Sequence, residues 1–260
     1  MKEEKKIALA LDGYKSAAEL KAAKGINEND SLQVLKDFEG YYKSRCDENK
    51  KFLGPLVAYA GTYKTEAGPK NYVGFEYFNF ARIEEHPLVR TFFAKLIVTK
   101  IKSDSLKIDL VLGVPMGGLM LAASIGDELK TRTIFSEKKI ISLANKEKGE
   151  KEVSEQILAR HDIFIGDKVV VVEDVCNNFS TTEKIQALVE KVGGKLVGIV
   201  CAVNRSGKKE WKGIPVISAI YIPTEQYRQD DPEVIEFMAK NDIVWSPKLD
   251  WETLKKAMWE

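Results

Sequence analysis

Apolar positions recur along this 260-residue chain with two different periods. Leu32, Leu35, Phe38 and Tyr42 fall at helical spacing after the polar turn Asn27–Ser31, which predicts a helix over roughly Ser31–Cys46. Beyond Pro87, Leu88, Phe92 and Leu96 form one row and Phe93, Ile97 and Ile101 an adjacent one, together a wide apolar helix face. Proline suits the first turn, where its missing N–H has no intrahelical partner. Gly117–Lys130 reads as a helix, and so does the stretch carrying Ile185, Leu188, Val189 and Val192, which stops at Gly193-Gly194. Between these lie short apolar runs at Asp109–Gly113, Thr131–Phe135, Lys139–Leu143, Val169–Val172, Lys195–Val203 and Ile214–Ile222, read as strands. Gly54–Phe80, crowded with glycine, proline and aromatic residues, predicts loops and short strands. Helices are expected again over Pro232–Lys240 and Trp251–Met258, whereas Ala144–Val153 is mostly polar and charged.

Strands alternating with helices of these lengths imply βαβ units around a central parallel sheet. Four consecutive valines, Val169–Val172, suit a strand buried on both faces of such a sheet. Composition narrows the partners. Forty basic residues against thirty-nine acidic ones give a net charge of +1, which offers nothing to a nucleic acid as the main partner. No stretch approaches the length of a membrane span, and the run after Lys5-Lys6 is too short for a signal sequence. Cys46, Cys176 and Cys201 lie far apart, which argues against a disulfide framework or zinc site and for reduced thiols in the cytoplasm. His86 and His161 stand alone and are read as surface or cap residues.

The chemistry concentrates in Val169–Thr182. A buried strand delivers Glu173 and Asp174 to its carboxyl end, where ligands bind in open α/β sheets. A polar turn and a helix start follow, and a helix N-terminus favours phosphate. Ser180, Thr181 and Thr182 add hydroxyls. Two carboxylates so close to a phosphate suit sugar hydroxyls, or a divalent cation held through water. Capping alone would explain Ser180–Thr182, but not paired acids after four valines.

These residues resemble the signature of the type I phosphoribosyltransferase family: four apolar residues, two acids, two apolar residues, then a Thr/Gly-rich loop. Val169–Cys176 match its first part residue by residue. The resemblance implies that Glu173 and Asp174 contact the ribose of phosphoribosyl pyrophosphate (PRPP), and that Asn177, Asn178, Phe179, Ser180 and Thr181 bind its 5′-phosphate. Phe179 stands where the family has glycine, and asparagines replace threonines at Asn177 and Asn178. Asparagine tolerates a left-handed backbone and phenylalanine does not, which predicts a reshaped turn. Asp109–Gly118 resembles the family's pyrophosphate loop, assigning that role to Val114, Pro115, Met116 and Gly117, where glycine permits close backbone approach.

Members acting on 6-oxopurines carry an aspartate base where this chain has Asn177, so the resemblance points to orotate-type members. Lys70–Asn79 resembles their N-terminal segment, which implies base contacts from Lys70, Tyr77 and Phe78; core aromatics of a strand are the other reading of Tyr77 and Phe78. Phe135–Lys139 falls where those enzymes have an Arg-Lys pair at the diphosphate, matching Lys138, with Glu137 in place of the arginine. Ala144–Lys151 fits their mobile loop and implies catalytic roles for Lys146 and Lys148, beside Asp174.

The expectation is an α/β fold: a type I phosphoribosyltransferase-like core with a central, mostly parallel sheet flanked by helices, plus an N-terminal extension or hood. Residues 1–85 would form a helical and loop-rich region, 86–222 the core, and 223–260 a helical extension. The implied activity converts orotate and PRPP to orotidine 5′-phosphate and pyrophosphate, with Mg²⁺ held through PRPP and water rather than by direct protein ligands, in a cytoplasmic homodimer. A non-catalytic PRPP-binding regulator, or transfer to another base such as adenine, remains the alternative.

Overall fold

The computed structural model describes residues 28–142 and 153–259. Its described residues group into two compact units, one of residues 28–37, 80–142 and 153–223, the other of residues 38–79 and 224–259. The three successive regions expected from the sequence therefore become two, because segments distant in the chain pair with one another in the second unit.

The first unit is an α/β layer structure. Its six-stranded sheet has the order β11-β12-β10-β9-β5-β6. These strands are β5 (Leu110–Gly113), β6 (Arg132–Phe135), β9 (Lys168–Cys176), β10 (Lys195–Asn204), β11 (Glu210–Trp211) and β12 (Ile214–Tyr221). Only the pairing of β11 with β12 is antiparallel. The mostly parallel sheet is as the alternating pattern predicts. Val169–Val172 are fully buried, as a central parallel strand flanked by β5 and β10 requires. Successive strand residues face opposite sides. Val169 and Val171, with Leu110, Leu112, Ile199 and Cys201, form one apolar cluster with Ile185 and Val189 of helix α5 (Ser180–Lys191).

Helix α3 (Pro87–Ser103) buries Phe92, Leu96, Phe93, Ile97 and Ile101 of the two rows read from the sequence, whereas Leu88 is only half-buried and Val89 is buried in addition. It packs on α4 (Leu119–Leu129) and on β12 and β10. Lys130 ends α4 in the left-handed region at φ 56°. The shorter elements of this unit are α1 (Glu28–Asp37) and α2 (Ala81–Glu84). Strands β7 (Glu137–Ser142) and β8 (Val153–Ile157) form a separate antiparallel pair. The strand expected at Lys139–Leu143 is β7, starting earlier.

The second unit departs further from expectation. The helix predicted over Ser31–Cys46 stops at Asp37, and Tyr41–Lys43 is instead strand β1, antiparallel to β4 (Glu76–Phe78). Glu39 takes φ 58° just before Gly40, a left-handed stop. Beyond it Tyr42 is fully buried and donates its hydroxyl to the Pro55 carbonyl at 2.7 Å. Gly54–Phe80 contains one long strand, β2 (Leu56–Thr65), antiparallel to β3 (Gly68–Gly74). The far segment completes this sheet: β13 (Ile243–Val244) lies parallel to Leu56 and Val57, and Tyr227 bridges Val73. Helix α7 (Trp251–Trp259) adds Trp251 and Leu254 to a core with Tyr42, Val57 and Val244. The helix predicted over Pro232–Lys240 is the shorter α6, Ile235–Ala239. Among the described residues no helix is long and apolar enough to cross a membrane.

Candidate functional site: the carboxyl rim of the parallel sheet

Strand β9 runs on past the valines to Cys176, so both acids lie inside the strand rather than beyond it. Consecutive positions on a pleated strand diverge, and here each carboxylate meets a different element. Glu173 accepts a hydrogen bond from Thr182 Oγ1 of α5 at 3.1 Å. Asp174 lies against the loop after β5, so close that a Cβ at Gly117 would overlap its carboxylate. One Asp174 oxygen accepts the Val175 N–H at 2.8 Å. Burial pushes the Glu173 carboxyl up to about 7; the Thr182 hydroxyl opposes the rise and the charge of Asp174 adds to it. Thr182 is itself fully buried, which turns a residue read as a phosphate-side hydroxyl into the support of Glu173.

The loop after β5 is built on the same strand. Val114 donates its N–H to the Val172 carbonyl at 3.1 Å, and Gly118 closes the turn by donating to Val114 O at 3.0 Å. A Cβ at Gly118 would overlap the Val172 carbonyl oxygen, so glycine is needed there for packing. The Pro115–Met116 peptide is cis. Met116 is 83% exposed at the tip, Pro115 and Gly117 are half-buried, and Val114 is buried. The start of β7 reaches the same place: Ser136 donates its N–H to Gly113 O at 3.1 Å, and its buried hydroxyl bonds Gln156 at 2.8 Å. Lys138 is exposed two residues further, in register with Gln156. Glu137, at the family's arginine position, makes an ion pair with Arg160 at 3.4 Å.

The turn after β9 is tightly wound. Ser180 donates its N–H to Asn178 Oδ1 at 3.2 Å, and Glu183 donates to the Phe179 carbonyl at 2.9 Å. Asn177 and Thr181 are half-buried, and Asn178 and Ser180 exposed. Phe179 adopts the left-handed conformation itself, φ 59° and ψ 16°. The predicted avoidance of that region does not occur. A non-glycine residue there costs about 1–2 kcal/mol, and burial of a phenylalanine ring offsets it with about 1.5–3 kcal/mol. The ring is 5% exposed and stacks on Trp211, centroids 5.8 Å apart and planes at 25°. Helix α5 begins next, and its first turn presents N–H groups that have no intrahelical partner. Arg205, after β10, donates its N–H to the Cys176 carbonyl at 3.0 Å and extends the rim.

The acid pair, the loop after β5 and the turn after β9 thus share the carboxyl rim of the sheet. The sequence profile of the phosphoribosyl transferase domain matches residues 80–229, more than half of the chain. The chain belongs to the phosphoribosyl transferase domain family. Orotate phosphoribosyltransferase of Carboxydothermus hydrogenoformans is 28% identical over 181 residues, 70% of this chain and 87% of that protein. That of Caldanaerobacter subterraneus subsp. tengcongensis is 27% identical over 60% of this chain and 74% of its own length. Among solved structures, orotate phosphoribosyltransferase from Aeropyrum pernix superposes with a TM-score of 0.50 at 18% identity, covering 73% of this chain and 92% of that one. The phosphoribosyl transferase fold is therefore shared.

Lys146 and Lys148 fall outside the described residues. Lys70, Tyr77 and Phe78 belong to the second unit. Lys70 is exposed on β3. Phe78 is a core aromatic, 5% exposed and stacked on Tyr41 at 4.8 Å. Tyr77 is half-buried and lines a cleft of about 300 Å³ with Ala58, Tyr59, Asn71 and Trp245. Trp245, 48% exposed, and Asn71, which donates its side-chain N–H to the Tyr59 carbonyl at 2.7 Å, were not singled out from the sequence. Asn71 lies within the Lys70–Asn79 segment already read as base-binding, whereas Trp245 belongs to no local pattern that could have marked it.

Proposed function

We propose that this protein is an orotate phosphoribosyltransferase, joining orotate to the C1′ of PRPP with release of pyrophosphate. The observation that carries the reading is the meeting of Asp174 with Gly117, which joins the acid pair and the glycine loop at one strand end. The relatives named above act on orotate by name, and Asn177 lacks the basic group expected for 6-oxopurines.

In this reading Glu173 and Asp174 accept hydrogen bonds from the ribose hydroxyls. Asn177–Thr181 and the first turn of α5 hold the 5′-phosphate. Val114–Gly117 present backbone amides to the diphosphate, with Lys138 as a positive charge beside it. Bond cleavage leaves positive character on the ribose ring, so catalysis rests on orientation and on stabilising the departing diphosphate. Mg²⁺ fits the chemistry of this oxygen-rich rim; it would take its ligands from PRPP and water, with the two carboxylates reaching it through water, and would neutralise diphosphate charge. Lys146 and Lys148 would supply positive charge to the substrate in a homodimer, the role that the resemblance to orotate enzymes implies. Tyr77 offers a stacking surface to the pyrimidine and Lys70 a counter-charge to its carboxylate; Phe78, packed in the core, supports Tyr77. Three free cysteines suit a cytoplasmic location.

A panel of orotate, adenine, hypoxanthine, guanine and uracil, each with PRPP and Mg²⁺, tests the reading by pyrophosphate release. Turnover with orotate alone supports it. Turnover only with another base reassigns the substrate, and tight PRPP binding without any transfer makes the protein a regulator.

A further inference from the structure

Phe179 occupies a backbone conformation that glycine adopts freely and phenylalanine resists. Something must hold it there. The candidate is the β11–β12 hairpin, whose two-residue turn Lys212–Gly213 has φ of 50° and 78°. Two successive positive φ values are those of the tight hairpin turn that matches strand twist. That turn fixes Trp211, which lies in register with Ile214 and packs against the main apolar cluster. The indole stacks on Phe179. Lys212 Nζ sits 4.5 Å over the same indole and 2.7 Å from Glu183 Oε1, in the first turn of α5. The hairpin therefore grips the phosphate turn twice, at Phe179 and at Glu183. Lys212 and Glu183 are both more than half exposed, so that ion pair is the weaker grip.

We propose that Trp211 is a positioning residue for the 5′-phosphate: its ring pins Phe179 in the left-handed conformation and so keeps the turn's N–H groups aimed at the phosphate. This rests on the phosphate role assigned above to Asn177–Thr181. Without the indole, Phe179 returns to negative φ and the turn loses its convergence. Expressed as affinity, release of the left-handed penalty corresponds to roughly 5- to 30-fold.

The test is a double-mutant cycle read by calorimetric binding of PRPP and by kcat and KM. Trp211→Ala should weaken PRPP binding about tenfold with little change in kcat, and Trp211→Phe should restore most of it. In a Phe179→Gly background the same Trp211→Ala change should alter PRPP affinity less than about twofold, since glycine needs no anchor. Circular dichroism establishes that each variant is folded, and the Phe179 backbone coupling in NMR spectra reports its φ. An equal loss in both backgrounds, or a folded Trp211→Ala protein with unchanged PRPP affinity and positive φ at Phe179, overturns the proposal. No binding of PRPP by the wild type overturns the phosphate reading and this inference with it, so the two failures are distinguishable.

Discussion

Replacing Glu173 by glutamine isolates the energetic consequence of burying an acid at this site. Its carboxyl titrates near about 7 in the fold against an ordinary 4.5. Between those values the folded chain binds a proton that the unfolded chain has lost, so folding stability falls as pH rises through the window. Glu173 thus contributes fully below pH 4.5, and that contribution is gone above about pH 7. At ~1.4 kcal/mol for each pH unit the full effect approaches about 3 kcal/mol. The carboxylate is only partly sheltered, so about 1–3 kcal/mol is expected. Glu173→Gln keeps the shape and an acceptor for the Thr182 hydroxyl while removing the ionisation. Urea unfolding of both proteins in EDTA, without PRPP, at pH 5 and pH 8 gives the difference, in which shared titrations cancel. The variant should gain on the wild type by about 1–3 kcal/mol between the two conditions, visible as a Tm advantage of several degrees. A gap that is constant with pH, or that moves against the variant as pH rises, would refute the argument. The latter would mean that the site stabilises the carboxylate rather than the acid.

Other perturbations separate packing from chemistry. Gly117→Ala should displace the Asp174 carboxylate and lower kcat/KM for PRPP at least about tenfold, with only a small loss in urea unfolding; activity within twofold of wild type would contradict the close approach. Gly118→Ala meets a backbone carbonyl instead, so it should show as about 1–3 kcal/mol of lost stability in the same unfolding assay. Phe179→Ala should destabilise more than Phe179→Gly, by about 1 kcal/mol, because alanine keeps the left-handed penalty without the buried ring; the opposite order in thermal unfolding would count against that account. Trp245→Phe should abolish any quenching of tryptophan fluorescence by orotate if the ring sits in the Tyr77 cleft, and Tyr77→Ala should raise KM for orotate more than KM for PRPP.

The features legible in the sequence are those written in local periodicity. Four valines followed by Glu173-Asp174 specify a buried parallel strand with acids at its end, since no partner outside the run is needed to recognise it. The two rows on the helix after Pro87 are equally local. What escaped depends on distant partners. Nothing near Ser31–Cys46 reveals that Tyr41–Lys43 will find Glu76–Phe78, which converts the tail of an apparent helix into a strand. Thr182 looks like one more hydroxyl in a phosphate turn until the strand-to-helix reversal brings it under Glu173. Phe179 was legible as an exception but not in its resolution, because Trp211 comes from the β11–β12 hairpin, distant in sequence. The base-binding candidates divided for the same reason: Tyr77 and Phe78 are adjacent in sequence, yet pleating sends one to a cleft and the other into the core.

The second unit's sheet joins β2 to β13, and Val73 to Tyr227, across roughly 140 residues that belong to the other unit. During synthesis β2 and β3 leave the ribosome early and then wait, at ~5–20 residues per second, on the order of ten seconds for their partners. The six-stranded sheet, whose strands are contiguous in the chain, has no such delay. The nascent protein is therefore expected to complete its six-stranded sheet before the sheet of the second unit, with Leu56, Val57 and Val73 uncovered in the interval. A chaperone that shields an apolar hairpin would act in that interval, and pausing translation after residue 223 should lengthen it.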